Sequence, residues 1–109
     1  MIRGEIWTAS GGKDYSGKPR PVLIVQSDRL GGLESVTVCP LTTDPTDAPL
    51  LRLPVAPTDS NGLRVASRIM VDKVTAVPKG KLGARIGRLD DEDIVRFNRA
   101  LLVFLGLAD

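Results

Sequence analysis

The segment around Arg20 has the residue types and spacing of an anion-binding site. Pro19 and Pro21 flank the arginine. They restrict the backbone on both sides of it, because a proline ring locks its own φ and limits the residue before it. A guanidinium held in this way is ready to donate two parallel hydrogen bonds to a phosphate. The segment therefore predicts a phosphate-binding arginine, with a solvated strand end as the plainer alternative.

Two further features of the sequence could contribute to phosphate binding. The hydroxyls of Thr42 and Thr43 follow the apolar run Val38-Cys39-Pro40-Leu41, where a strand would open toward solvent. Between positions 61 and 89, seven Lys and Arg residues stand against one acid, Asp72. Such a charge imbalance can attract phosphates, although charge runs more often form a solvated face and threonine is common in strands.

The residues that are absent exclude several kinds of site. The chain has no histidine and one cysteine, Cys39, so an internal disulfide, imidazole metal ligands and Ser/His or Cys/His nucleophile pairs are excluded. Cys39 sits in an apolar run and is predicted to be a small core residue. The acids at positions 90–93 are explained by helix capping, so we expect no metal and no cofactor. Without a signal peptide or a long apolar span, we expect a cytoplasmic protein.

The elements that must position these residues are mostly strands. With 109 residues, of which 42% are hydrophobic and 26% charged, the chain has the size and composition of one domain, residues 1–109. Strands are predicted at residues 2–8, 20–26, 35–43, 50–56 and 64–77. The apolar run at residues 22–25 is typical of a central strand covered on both faces. Pro40 predicts a bulge or an unpaired position, and Pro54 an edge strand.

One helix is predicted at residues 90–105. Asp90 is a suitable N-cap, and Gly106 a suitable stop. An apolar stripe recurs at helical spacing and comprises Ile94, Phe97, Leu101, Phe104 and Leu105. The expected architecture is a mainly β domain, a small barrel-like antiparallel sheet, with a packed C-terminal helix.

Several stretches, taken in order, resemble the MazF/PemK family of toxins from bacterial toxin-antitoxin systems. They are the opening Arg3-Gly4-Glu5-Ile6-Trp7, a Gly-rich loop, Arg20-Pro21-Val22-Leu23-Ile24-Val25, the Pro40-Leu41-Thr42 strand end, a Ser/Arg-rich strand and the Leu89-Asp90-Asp91-Glu92 helix start. The resemblance covers nearly the whole chain. It implies an SH3-like barrel with a terminal helix and a homodimer. It also implies metal-independent endoribonuclease activity on single-stranded RNA, inhibited by a cognate antitoxin.

The resemblance also implies roles for individual residues. Arg20 and Thr42 match the family's active-site arginine and threonine, and Asp72 is its candidate acidic catalytic residue. The RNA-binding candidates are Lys13, Tyr15, Lys18, Arg68 and Lys73.

The chain departs from some relatives at two points. Met70 stands where certain members have an arginine, and Arg68 is the candidate substitute because strand alternation would keep Arg68, Met70 and Asp72 on one face. The first loop lacks the histidine that some members use, which leaves the general base open.

Two alternatives from other functional classes remain at this stage. A gyrase-inhibiting toxin of the CcdB type shares the fold expected here, but it relies on Trp-Gly-Ile at the end of its helix, and residues 104–109 contain no tryptophan. An inactive SH3-like binding module is disfavoured only by Arg20 and Thr42.

Overall fold

The computed structural model describes residues 1–10, 18–45 and 51–109, and it is built mainly from antiparallel strands. The elements are β1 (Glu5–Ala9), β2 (Arg20–Ile24), β3 (Ser35–Thr42), β4 (Arg52–Val55), β5 (Ser67–Met70), β6 (Thr75–Pro78), β7 (Leu82–Arg88) and α1 (Asp91–Phe104). The sheet order is β4-β5-β3-β2-β1-β7, and β6 pairs with β3. The predicted class, mainly β with a C-terminal helix, is confirmed. Within the described ranges no pairing joins β4 to β7, so the sheet is open rather than a closed barrel.

Strand β2 lies in the middle of the sheet, as its apolar run predicts. Leu23 and Val25 pack into one core cluster, while Val22 and Ile24 pack into a second cluster on the opposite face. The strand pairs with β1 on one side and β3 on the other. Both faces and both edges of β2 are therefore covered. The backbone of Arg20, the first residue of this strand, is held in a defined position.

Strand β3 exchanges partners along its length. On the side away from β2, its first half pairs with β6 and its last two residues, Leu41 and Thr42, pair with β5. Pro40 lies between the two paired stretches, and on this side no strand of the described ranges pairs with it. The ladder therefore requires no N–H donor at this position, which suits proline. The predicted unpaired position at Pro40 is thus found on this edge of the strand.

Helix α1 packs on β4 and on the turn that follows β5. Phe97 is fully buried, and Ile94 and Leu101 pack against the same core cluster. The prediction was wrong for Phe104 and Leu105, which are exposed because the packed stripe ends at Leu101. Asp90 is the N-cap residue as predicted, but its side chain makes no capping hydrogen bond. None of the described helices combines the length and apolar content that a membrane crossing requires.

Two predicted strand boundaries were wrong. The first strand begins at Glu5 rather than residue 2, because Gly4 turns the chain with a φ of +92°. The long strand predicted over residues 64–77 is divided into β5 and β6 by a 3₁₀ turn, Val71–Lys73. The turn lies between β5, which pairs with the end of β3, and β6, which pairs with the first half of β3. The Val71 side chain is buried in the core. Asp72 therefore lies in a turn, not on a strand face shared with Arg68.

Candidate active site

A surface cleft of about 260 Å³ lies where β2 begins and β3 ends. Its lining comes from four parts of the chain: the start of β2, the end of β3, strand β5 and the Val71–Lys73 turn. The lining residues are Arg20, Pro21, Pro40, Leu41, Thr42, Thr43, Ser67, Met70 and Lys73. Three of the predicted site residues, Arg20, Thr42 and Lys73, are thus brought together.

The pairing of β2 with β3 explains why Arg20 and Thr42 meet. Val22 is paired with Pro40 in an antiparallel register. Continuing this register by the next pair on the same face brings Arg20 opposite Thr42, and directly opposed residues have Cβ atoms about 4.5–5.5 Å apart. Two residues that are far apart in the sequence therefore act on the same small volume.

The Arg20 side chain is exposed at the mouth of the cleft. Its backbone is held by pairing with Ala9 of β1 and by the two flanking prolines. Within the described ranges, no hydrogen bond or ion pair engages its guanidinium. All of its donors are available to an anion in the cleft.

The Thr42 hydroxyl is oriented by the chain that follows it. The backbone N–H of Asp44 donates a hydrogen bond of 3.1 Å to Thr42 Oγ1. Because the oxygen already accepts one hydrogen bond, its proton points elsewhere and can be donated to a ligand. Thr42 is half-buried and lines the cleft.

Asp72 is not among the residues that line the cleft. It forms an ion pair with Arg52 of β4, and both side chains are largely buried, with exposed fractions of 26% and 18% respectively. Lys73, the next residue, lines the cleft and is exposed. The turn thus directs a cation into the cleft and an acid toward β4.

The remaining predicted contacts lie beside the cleft or outside the described residues. Arg68 is half-buried on β5, opposite Thr42, and lines a neighbouring depression of about 270 Å³ that shares Thr43 with the cleft. Lys18 is exposed two residues before β2. Lys13 and Tyr15 lie outside the described residues.

Sequence reasoning did not assign Ser67 or Arg52 to this site, and it singled out Met70 only as a departure from certain relatives. Ser67 and Met70 enter the lining because β5 pairs with the end of β3, a contact between distant segments without a local signal. Arg52 escaped attention although it is a lone cation within the apolar segment Leu51-Arg52-Leu53. A charge placed there needs a partner, which was the available signal for its ion pair.

Among the residues that the structure describes, two titratable groups outside the cleft have a shifted pKa. Burial raises the pKa of the Cys39 thiol to about 12, and the nearby Asp72 carboxylate adds to this effect. The thiol is therefore protonated and unreactive, as expected of a core residue. Burial also opposes ionisation of Glu5, but hydrogen bonds from Ile2 N, Trp7 Nε1 and Arg85 Nε outweigh it and hold the pKa of Glu5 below its usual value.

Comparison with known proteins supports one family assignment. The model of the PemK-like, MazF-like toxin of type II toxin-antitoxin systems matches residues 2–105. The chain is 56% identical over 108 residues to a probable endoribonuclease MazF of Mycolicibacterium smegmatis, with 99% of each chain covered.

Solved structures agree with this match. A mycobacterial endoribonuclease in complex with its cognate antitoxin has a TM-score of 0.80 at 25% identity, covering 100% of this chain and 98% of that one. The Mycobacterium tuberculosis toxin MazF-mt6 has a TM-score of 0.80 at 29% identity, covering 96% and 99%. A MazE-MazF structure from Deinococcus radiodurans, at 15% identity, shares the fold with a TM-score of 0.80 and coverage of 99% and 98%. The chain therefore belongs to the PemK-like, MazF-like family of type II toxins.

Proposed function

We propose that this chain is an endoribonuclease toxin that cleaves single-stranded RNA without a metal ion and leaves 2′,3′-cyclic phosphate and 5′-OH ends. The observation that carries the proposal is the meeting of Arg20 and Thr42 in one cleft of a MazF-like fold. Neither the family model nor the named relatives favour the gyrase-inhibiting alternative. The toxin unit would comprise residues 1–109.

The reaction begins when the ribose 2′-OH attacks the adjacent phosphorus. As the O2′–P bond forms, the 2′-OH releases its proton to solvent, the P–O5′ bond breaks, and the departing 5′ oxygen takes up a proton from solvent. Negative charge grows on the non-bridging oxygens as the transition state forms. The unengaged guanidinium of Arg20 stabilises this charge through two directed hydrogen bonds. Arginine is a poor general acid because a guanidinium holds its proton strongly, so the main role of Arg20 is electrostatic.

Thr42 and the surrounding cations complete the phosphate site. The free proton of the Thr42 hydroxyl donates to a phosphate oxygen, since the hydroxyl oxygen is already engaged by Asp44 N. Lys73 in the lining, Arg68 in the neighbouring depression and the exposed Lys18 before β2 add positive charge that attracts the RNA backbone. Lys13 and Tyr15 are further candidates for contact with RNA.

We further propose that the toxin acts in the cytoplasm as a homodimer and is inhibited by a cognate antitoxin. A mycobacterial relative of the same fold is described in complex with its cognate antitoxin. An acidic, partly disordered antitoxin segment would fold onto the basic face and cover the cleft. Leu102 and Val103, exposed on α1, are candidates for the contact between subunits.

The deciding experiment uses purified protein and a mixed single-stranded RNA in the presence of EDTA. Cleavage with cyclic phosphate and 5′-OH ends supports the proposal, and Arg20→Ala is the inactive control. Arg29→Ala is the matched control, because Arg29 is exposed and does not line the cleft. Cleavage that stops in EDTA and returns with Mg²⁺ would overturn the metal-independent mechanism. Gyrase inhibition without RNA cleavage would instead support the CcdB type.

A further inference from the structure

The ion pair between Arg52 and Asp72 joins two elements that border the cleft. Arg52 Nη1 donates to Asp72 Oδ1, and both side chains are more than two-thirds buried. Arg52 belongs to β4, where it is paired with Met70 of β5, and Met70 lines the cleft. The ion pair therefore lies next to a residue of the cleft lining.

The Val71–Lys73 turn is held by contacts with α1, β3 and β4, by backbone hydrogen bonds and by the ion pair of Asp72. Val71 is fully buried, and its N–H donates to Leu51 O at 2.9 Å. The turn itself closes with a hydrogen bond of 3.4 Å from Val74 N to Val71 O. Asp72 supplies the turn's ionic tie to β4 in the part of the chain that the structure describes. Since Lys73 is the next residue, a shift of Asp72 would also move Lys73, which lines the cleft.

The ion pair also affects the charge that a ligand meets. An unpaired carboxylate at position 72 would stand next to Lys73 and repel an incoming phosphate. Pairing with Arg52 neutralises it, so the cleft retains the positive charge of Arg20 and Lys73. Breaking a largely buried pair by removing one partner leaves the other charge uncompensated, which is unfavourable.

We propose that Asp72 is a positioning residue that, together with Arg52, holds the Val71–Lys73 turn so that Lys73 points into the cleft. This inference rests on the proposed function, because Lys73 is there a phosphate contact. It differs from a catalytic role for Asp72: the carboxylate accepts a hydrogen bond from Arg52 and lies outside the cleft lining. A group that acts through Lys73 and a group that takes a proton from the substrate respond differently to mutation.

The first test is a double-mutant cycle with Asp72→Asn and Lys73→Ala, measured as kcat/KM on a short single-stranded RNA. Asp72→Asn is expected to lower kcat/KM about tenfold in the wild-type background and less than about twofold in the Lys73→Ala background. The pH dependence of kcat/KM should keep its wild-type shape. An equal loss in both backgrounds, no loss in either, or disappearance of the acidic limb of the profile would overturn the positioning role.

Two further variants separate positioning from a general loss of stability. Asp72→Glu keeps the carboxylate, and the flexible Arg52 side chain can still reach it, so most activity should return; a loss as large as that of Asp72→Asn contradicts the proposal. Asp93→Asn removes the partner of Arg96 in an ion pair on α1 that does not border the cleft. Activity of this control should stay within about twofold of wild type, and a tenfold loss there would mean that removal of any such pair impairs the enzyme.

A measurement without RNA distinguishes failure of this inference from failure of the proposed function. Amide hydrogen exchange reports the opening of the turn through the N–H groups of Val71 and Val74. Both should exchange faster in Asp72→Asn than in wild type, and at the wild-type rate in Asp93→Asn. Unchanged exchange in Asp72→Asn would refute the tie even if the protein cleaves RNA. If exchange is faster in Asp72→Asn but the wild-type protein cleaves no RNA, only the proposed function is refuted.

Discussion

Replacing Arg20 by lysine separates the geometry of the guanidinium from its charge. Lysine keeps the positive charge but loses the planar pair of donors. Removing one donor from an enclosed oxyanion site costs about 2.7–4 kcal/mol. The Arg20 side chain is exposed at an open cleft that also contains Lys73, so solvent and a second cation reduce the penalty. We expect a loss of about 2–3 kcal/mol in the transition state, or about 30- to 150-fold in rate.

The assay is single-turnover cleavage of a short single-stranded RNA at saturating enzyme, which isolates the chemical step from binding. The melting temperature should change little, because the Arg20 side chain is exposed and unengaged within the described ranges. Arg29→Lys, the same replacement at an exposed position away from the cleft, is the matched control. Near-full cleavage by a folded Arg20→Lys protein would refute the two-donor clamp. An equal loss of cleavage rate in Arg29→Lys would show that the effect of replacing arginine by lysine is not specific to the cleft.

Three other predictions concern stability and burial outside the cleft. Glu5→Gln should lower stability at pH 7 by about 1 kcal/mol, since it weakens charge-assisted hydrogen bonds. The pKa of Glu5 is lower in the folded state than its ordinary value of 4.5. Its contribution to the free energy of unfolding is therefore complete above pH 4.5 and declines as the pH falls through the folded-state pKa. In acid titrations, the stability difference between wild type and Glu5→Gln must shrink below pH 4.5. Cys39, with a pKa raised to about 12, should resist a thiol reagent at pH 8 until guanidinium unfolds the protein, and rapid labelling of the native state would contradict its burial. Gly87→Ala would place a Cβ 2.3 Å from the backbone of Asn61 and should destabilise by about 1–3 kcal/mol, whereas Gly80→Ala, which meets no atom within 4 Å, should have little effect on the melting temperature.

The prediction of the elements succeeded where the signal was local. The apolar run of β2 identified a strand with both faces covered, because four consecutive apolar residues place side chains on each face. The helix bounds were correct to within about one residue at each end, since capping residues and a glycine stop mark them. The prediction failed for the strand over residues 64–77, because its composition is strand-like throughout while the exchange of partners along β3 requires a turn at Val71–Lys73.

The candidate site shows the same division. Arg20 is recognisable because its prolines are adjacent to it, and Thr42 because it ends an apolar strand. Nothing local indicates that Ser67 and Met70 share their cleft, since that depends on the pairing of β5 with β3. The roles of Arg20, Thr42 and Asp72 stay predictions until the variants are measured.

The sequence by itself determined the class of fold, the central strand, the terminal helix and the rigid setting of Arg20, because each depends on side chains that are neighbours along the chain. Only the tertiary structure decided that Arg20 and Thr42 line one cleft, since the pairing of β2 with β3 brings these distant segments together. It also decided that Asp72 pairs with Arg52, 20 positions away, instead of facing the cleft. A largely buried charge binds the opposite charge that the fold brings within reach, and that partner is set by packing in three dimensions.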